Sequence, residues 1–452
     1  MKTTTKKLKG IWIFLFAMSL SLQAFSQNVL QLTLQESLNY ALENNVDAKN
    51  AQLETLIAKA QIIERRSEGL PQINATYDIT HNVAIPIVFV PNEGGFFQPD
   101  VDSDVLPLQF GVNYSSALVV QATQMIFDGS YFVGLKAAKT YKMLTEFDKE
   151  KTENDIKESV KKAYFTVLVN ARRKELVSAN LNRLDTLLKE TSAMYEAGFA
   201  EKIDVSRIKV QRNNIQTELD KVIAAYDISV ELLKLQAGIP LSYQIQLSES
   251  LVELNRQEDL NSLIEFEGTR RVEMDQLITN KDLVELDLRF TTSNYIPKID
   301  FFGTYQRNGA AQSPGLIWDR DRWFTGAFIG ARVSIPIFDG LLKSSQIQQK
   351  RHQLNQLKNQ EVFLEENIAI EKFQAKLNLK NSIQALKVQE ENRELAMEVF
   401  SMSKIKYEEG VGSNLEVVEA DSALKEAETN YFSALYDALI AKVDLEKALG
   451  LL

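Results

Sequence analysis

The sequence predicts a duplicated, mainly α-helical chain that also carries strands of a membrane β-barrel. Three observations predict it. Short motifs recur in the same order about 210 to 225 residues later, apolar residues keep helical spacing through very long stretches, and paired segments alternate apolar and polar side chains. Glycine (19) and proline (9) are scarce among 452 residues, which favours long uninterrupted elements.

Three matched motifs indicate the duplication. MIFDG at 125–129 recurs as PIFDG at 336–340, YEAG at 195–198 as YEEG at 407–410, and LPQI at 70–73 as IPKI at 296–299. They define a first repeat at 46–237 and a second at 272–449. The remaining segments, about 28–45 and 238–271, are expected to form a small equatorial belt. The first copy has an insertion near 91–105.

Each repeat is predicted to run helix, two strands, long helix, tight turn, shorter helix. Side chains alternate at 72–80 and 108–115 in the first repeat, and at 298–306 and 325–335 in the second. These four alternating segments predict two barrel hairpins, at about 71–127 and 297–338. A soluble sheet packed on helices would alternate too, but the polar Pro/Gly-bearing loops and the flanking helices favour membrane strands.

The long helices are predicted at 130–196 and 341–408, each a rod of ~100 Å at 1.5 Å per residue. Shorter helices at 202–237 and 414–449 would return along them, extended by 46–69 and 272–294. Asp128 and Asp339 stand where strand turns into helix, so both are expected to cap the first free amides.

Residues 1–26 are predicted to be a signal peptide. Four lysines precede a twelve-residue apolar run at 11–22, and small residues at 24 and 26 suit cleavage before Gln27. An uncleaved membrane anchor is the alternative. No later stretch reaches 18 apolar residues, so an exported chain would be secreted or a β-barrel of the outer membrane.

Composition argues against several classes of function. There is no cysteine, and the two histidines, His81 and His352, are far apart. No metal site, no cofactor and no enzymatic constellation is therefore expected. A net charge of −10 makes nucleic-acid binding a poor expectation.

Four strands cannot close a barrel, and open sheet edges are not tolerated in lipid. Assembly is therefore expected. Two copies would give eight strands, whose interior is filled by side chains, whereas three would give twelve, wide enough for water. Three copies would also supply twelve helical strands, enclosing a lumen of ~25 Å. The predicted design is a trimeric twelve-stranded barrel continued by a twelve-helix tunnel in the periplasm.

The sequence resembles the outer membrane efflux protein family, the TolC-like exit ducts. The motifs are LTLQESLNYALENN at 32–45, the two FDG junctions, and the tip turns YEAGFA at 195–200 and YEEGVGS at 407–413. The resemblance implies a homotrimeric passive channel in the outer membrane, in contact with its lipid and extending into the periplasm. It also implies a periplasmic adaptor and an inner-membrane pump, in a tripartite efflux or type I secretion system.

The resemblance also assigns site residues. The tips expected to dock the adaptor are Gly198, Phe199, Ala200, Gly410, Val411, Gly412 and Ser413. Asp204, Glu416 and Glu419 match acidic positions that line or tie shut the periplasmic opening, and Tyr407 matches a tyrosine that hydrogen-bonds across neighbouring helices. Gly412 stands where some relatives carry a locking arginine.

The tip turns, the acidic residues and the chain as a whole each have a simpler interpretation. The tips could be ordinary hairpin turns, and the acids could simply suit the first turn of a helix. An exported coiled-coil tether of the envelope, without channel activity, is the alternative function. The cargo, whether drug, metal ion or protein, cannot be read from the sequence.

Overall fold

The computed structural model describes residues 29–91, 105–249, 251 and 262–452. The predicted signal peptide and most of the first-repeat insertion lie outside the described residues. Those residues fall into two compact units. The helical unit comprises the chain up to Thr55, Thr145–Leu277 and Gln360–Leu452, and the sheet unit comprises Leu56–Leu144 and Ile278–Asn359.

Seven helices have defined bounds in the described residues. They are α1 (Leu34–Asn44), α2 (Val46–Ser67), α3 (Gly129–Glu196), α4 (Lys202–Ala237), α5 (Val272–Ser293), α6 (Leu342–Glu408) and α7 (Asn414–Ala448). With 68 and 67 residues, α3 and α6 are the predicted long helices. Across the described part of the chain, no helix combines the length and the apolar character needed to cross a membrane.

Eight strands have defined bounds in the described residues. They are β1 (Val29–Leu32), β2 (Gln72–His81), β3 (Ile87–Pro91), β4 (Val105–Gln109), β5 (Tyr114–Phe127), β6 (Gln244–Leu247), β7 (Lys298–Ala311) and β8 (Trp323–Ser334). The sheet unit contains a four-stranded antiparallel sheet in the order β2-β5-β7-β8 and the small hairpin β3-β4. The second repeat has the predicted element order, and the first repeat has it with one additional hairpin, β3-β4.

One strand prediction is wrong. The alternation at 108–115 predicts the second strand of the first hairpin there, but β4 ends at Gln109, residues 110–113 lie in no strand, and the partner of β2 is β5. Only the two ends of this segment belong to strands, because β4 pairs with β3 in a hairpin of its own and β5 begins at Tyr114. The first copy therefore inserts an extra hairpin between the two long strands, a topology that a period-two pattern cannot distinguish.

The register of the sheet separates an apolar face from a polar face. Residues that are partners across neighbouring strands lie on the same face of the sheet. Two such sets of partners are Ile73 with Ala122 and Gly303, and Ile79 with Ser116 and Gly309. The apolar face carries Ile73, Ala75, Tyr77, Ile79, Leu118, Val120, Ala122, Phe301, Tyr305, Ala327, Ile329, Ala331 and Val333. The opposite face carries mainly Asn, Gln, Thr and Asp side chains. The predicted alternation is thus present in the folded sheet.

Both junction aspartates accept hydrogen bonds from the helices that follow them. Asp128 Oδ1 accepts from the N–H of Ser130 at 2.8 Å, and its Oδ2 lies 2.8 Å from Lys298 Nζ. Asp339 Oδ2 accepts from the N–H of Lys343 at 3.2 Å and from its ammonium at 2.9 Å. Each carboxylate thus satisfies an amide that the first helical turn leaves open.

The helical unit is built around the seam between α3 and α7. Val160, Tyr164 and Leu439 are buried there together with Leu233 of α4 and Leu386 of α6. Lysines and carboxylates also join the two helices. The ion pairs are Lys161–Glu446 (2.6 Å), Lys162–Asp444 (2.6 Å), Lys447–Glu158 (2.6 Å) and Lys447–Asp155 (3.1 Å).

The belt strands β1 and β6 pair in parallel beside this core. The hydroxyl of Tyr164 donates to the carbonyl of Leu32 at 3.2 Å and to Glu249 Oε2 at 3.0 Å. Glu249 Oε2 also accepts from the N–H of Leu34 at 2.8 Å, at the start of α1. A single carboxylate thus ties the belt to the long helix.

Candidate functional site

The first helical hairpin turns between α3 and α4. The N–H of Gly198 donates to the carbonyl of Tyr195 (3.0 Å) and that of Phe199 to the carbonyl of Met194 (2.8 Å), which closes the helix in a Schellman turn. Gly198 has a φ of +83°, which favours glycine. Phe199 follows with 84% of its surface exposed. The turn therefore holds a large apolar side chain out in solvent.

The second hairpin repeats this turn between α6 and α7. Gly410 has a φ of +75°, and the N–H of Val411 donates to the carbonyl of Lys406 at 2.9 Å. Val411 is 79% exposed. Gly412 donates to the same carbonyl, and a Cβ on it would lie 2.9 Å from Lys406 Cβ. A side chain at 412 would therefore require this close approach to open.

Three predicted acids lie at the starts of the return helices. Asp204 Oδ2 accepts from the N–H of Glu201 at 3.2 Å, and Oδ1 lies 3.6 Å from Arg207. The helix α7 is capped by Ser413, whose Oγ accepts from the N–H of Glu416 at 3.2 Å. Asp204 therefore stabilises a helix start, which is the plainer interpretation.

Glu416 and Glu419 are both exposed. Neither side chain forms an ion pair or hydrogen bond with another described residue. The starts of α4 and α7 lie side by side, since Ile208, Val417 and Leu187 share one apolar cluster. No direct contact joins Asp204 to either glutamate within the described chain. Within one copy, both glutamate side chains are therefore free to interact with solvent ions or with another chain.

Tyr407 connects α6 with α3. Its hydroxyl lies 3.4 Å from Thr191 Oγ1 and 3.6 Å from Met194 Sδ. Its ring packs against the cluster of Leu187, Ile208 and Val417. The tyrosine thus bridges neighbouring helices inside one chain.

A buried charged group near the tip was not predicted. Asp421 of α7 is only 1% exposed, and its nearest cation is Arg183 Nε of α3, 3.6 Å from Oδ1. Neither carboxylate oxygen accepts a hydrogen bond from a residue that the structure describes. Burial raises the pKa of Asp421, and the charge of Arg183 only partly opposes this. Burial raises the pKa of Glu428 as well, two turns further along α7.

A sequence signal for this carboxylate did exist. Asp421 comes four residues after Val417 and three before Leu424, both fully buried apolar positions of α7. That spacing places it on the buried face. Among the described residues, no group of three or more His, Cys, Asp or Glu side chains is placed to hold a metal ion.

Comparison with known proteins gives a consistent result. Residues 270–451 match the family described as outer membrane efflux protein. The outer membrane protein TolC of Vibrio cholerae is 22% identical over 96% of this chain and 94% of its own length, and TolC of Escherichia coli is 20% identical over 99% and 87%. The crystal structure of the outer membrane protein VceC of Vibrio cholerae superposes with a TM-score of 0.70, at 14% identity, over 92% of this chain and 96% of that one. At 14% sequence identity, this structural similarity shows a shared fold.

Proposed function

We propose that this chain, which belongs to the outer membrane efflux protein family, is the passive exit duct of a tripartite efflux or type I secretion system. The matches confirm the predicted family, the predicted fold class and the outer membrane as the location. In the proposed assembly three copies form one channel. A periplasmic adaptor joins the channel to an inner-membrane pump.

The observation that carries the proposal is the four-stranded sheet with its two outer strands. Among the described strands, β2 and β8 each pair on one side only. The sheet also exposes large apolar side chains on one face, including Ile73 and Ile329. Unpaired strand edges are not tolerated in lipid, so β2 of one copy must pair with β8 of the next. Three copies would then close a barrel of twelve strands.

The helical unit supports the same assembly. In this unit α6 exposes many large apolar side chains, namely Val362, Phe363, Ile370, Phe373, Leu377, Val388, Leu395, Val399 and Met402. Such a continuous exposed series indicates an interaction surface. A neighbouring copy would bury it, and the long helices would then enclose a tunnel.

The periplasmic mouth is proposed to be a carboxylate constriction. Glu416 and Glu419 are three residues apart, so one face of α7 can present both. Three copies would bring six glutamates together, with Asp204 and Tyr407 nearby. Such a ring attracts cations within about a Debye length, ~8 Å at physiological salt.

The hairpin tips are proposed to contact the adaptor. Phe199 and Val411 are the most exposed apolar side chains there, and each follows a glycine turn with open space around it. The docking set is Gly198, Phe199, Ala200, Gly410, Val411, Gly412 and Ser413. Two equivalent turns per chain would offer six similar contacts in a trimer.

Cysteine cross-linking tests the assembly, because the chain contains no cysteine. Ala75→Cys would be combined in turn with Ala327→Cys and Ala331→Cys, which lie on the apolar face of β2 and β8. Oxidation is expected to give covalent dimers and trimers for at least one combination. Thr76→Cys on the polar face, combined with the same partners, is the matched control and should link far less.

Mass measurement in mild detergent should give about three times the mature chain. A stable monomer with its full strand content would refute the proposal. Planar-bilayer recording separates the alternatives, since a tether would give trimers without conductance.

A further inference from the structure

The apolar face of the sheet carries one strongly charged side chain. Arg307 on β7 is the register partner of Leu118 on β5 and Thr325 on β8, and Leu118 is the partner of Tyr77. All of these side chains therefore share the apolar face. No other Lys, Arg, Asp or Glu in the four strands lies on it. Their two carboxylates, Asp78 and Asp300, belong to the polar face.

One aromatic ring lies against this arginine, and a second stacks on the first. The Arg307 guanidinium lies 5.7 Å from the ring centre of Trp323, and the indole stacks on Tyr77 at 6.3 Å and 12°. The indole of Trp323 can take this position because residue 309 is a glycine. A Cβ at Gly309 would lie 3.0 Å from Ser116 Oγ and 3.1 Å from the indole. The indole thus lies across the sheet from β8 towards β2.

Among the described residues, no carboxylate pairs with this guanidinium. Arg307 forms no ion pair with another described residue, and its buried Nε has no hydrogen-bond partner. In the loop between β7 and β8, the carboxylate of Asp319 lies 3.5 Å from Arg322 Nε. The residue as a whole is partly exposed and its guanidinium is held against an indole, an arrangement in which the terminal nitrogens are suited to bind an external planar or tetrahedral anion.

Its position along the strand fits a membrane interface. Arg307 lies about nine residues from Lys298, at the helix-side end of β7, which is ~30 Å along a strand at 3.4 Å per residue. At a strand tilt of ~45° this is ~20 Å across the membrane, close to the far border of an apolar band ~25 Å tall. Aromatic girdles mark that border, and the cost of a cation falls steeply there.

We propose that Arg307, together with Trp323 and Tyr77, binds the phosphate group of an anionic lipid in the outer leaflet. The guanidinium would donate hydrogen bonds to phosphate oxygens while the two rings contact the acyl-chain border. This inference rests on the proposed function, because it requires the apolar face to meet lipid.

The test compares Arg307→Gln with Arg332→Gln in the purified assembly. Arg332 is a matched control, since it lies on the opposite face of the same strand pair and also stacks on a ring, that of Phe302 at 5.4 Å. Native mass spectrometry would count bound phosphatidylglycerol, with phosphatidylcholine as the zwitterionic comparison. We expect Arg307→Gln to weaken phosphatidylglycerol binding about tenfold and Arg332→Gln to leave it unchanged.

Two further arms complete the test. Trp323→Leu keeps the apolar surface but removes the ring, and should weaken binding less than Arg307→Gln does. Inorganic phosphate in millimolar excess should not displace the lipid, whereas displacement would mean a free-phosphate site and overturn the lipid proposal. Equal binding by both arginine variants, or no preference of the wild type for phosphatidylglycerol, would also overturn it. Trimer mass and conductance measured on the same samples report separately on the proposed function.

Discussion

Replacing Asp421 by asparagine is expected to stabilise the protein at pH 8. The carboxylate is 1% exposed, accepts no hydrogen bond, and has its nearest cation 3.6 Å away. Its pKa is raised by burial, so the folded state disfavours ionisation. Stability contributed by this group is therefore greatest below its unfolded pKa of ~3.9 and is lost as pH rises through the folded pKa.

The size of the effect follows from linkage. Each unit by which the folded pKa exceeds the unfolded one costs ~1.4 kcal/mol once the pH is above both. Asparagine has the same shape and no charge, so it removes this cost. Arg183 loses no hydrogen bond in this variant, because its buried Nε and Nη2 have no partner among the described residues even with Asp421 present, and its guanidinium keeps its stacking on Phe400. For a chain of this length each kcal/mol corresponds to roughly 1–2 °C in Tm.

The assay is thermal unfolding of the detergent-solubilised protein at pH 5 and pH 8. Asp421→Asn should raise Tm more at pH 8 than at pH 5. Asp437→Asn is the matched control, since Asp437 is exposed on the same helix. If Asp421→Asn lowers Tm most at pH 8, the Arg183–Asp421 pair is a net stabilising ion pair and the reasoning from burial is wrong.

Three further predictions concern the mouth, the belt and the tips. Glu416→Gln combined with Glu419→Gln should abolish cation selectivity and block by multivalent cations without dissolving the trimer; an unchanged reversal potential in planar bilayers would leave the acids as helix-start residues only. Tyr164→Phe should lower the free energy of unfolding by ~1–3 kcal/mol, because a buried donor to a carboxylate is lost; an unchanged denaturant midpoint would contradict this. Gly198→Ala should cost ~1–2 kcal/mol, because the open space around it leaves only the positive φ to resist a side chain; denaturant unfolding measures this, and a cost near zero would show that the turn relaxes.

The helices could be predicted from the sequence almost to the residue. Helical periodicity sustained for 67 or 68 residues leaves little ambiguity, and α4 begins and ends where it was expected. The first sheet hairpin was harder. β5 places Ala117 and Val119 on the polar face, which weakens its alternation, whereas the clearer alternation at 108–115 spans the end of β4, four residues in no strand and the start of β5. A local period cannot tell which of two strands a distant segment will choose as partner.

The candidate site was predictable only where backbone geometry dictates the residue. Gly198 and Gly410 were identified from turn chemistry, and both have the expected positive φ. The pairing of Arg183 with Asp421 joins helices more than 200 residues apart, so it depends on how two hairpins pack. The roles of Glu416 and Glu419 in a mouth stay predictions, because they depend on neighbouring copies.

The parallel pairing of β1 with β6 has a consequence for the order of folding. Val29 is the partner of Gln244, so the whole first repeat lies between the two strands. Closing so long a loop costs conformational entropy, and the hydrogen bonds between β1 and β6 can offset that cost only when both strands are present. The amino-terminal strand must therefore wait, after export, until the first helical hairpin has been delivered. Pairing of β1 with β6 can therefore occur only after the first repeat has folded, and it joins the amino terminus to the segment that precedes the second repeat.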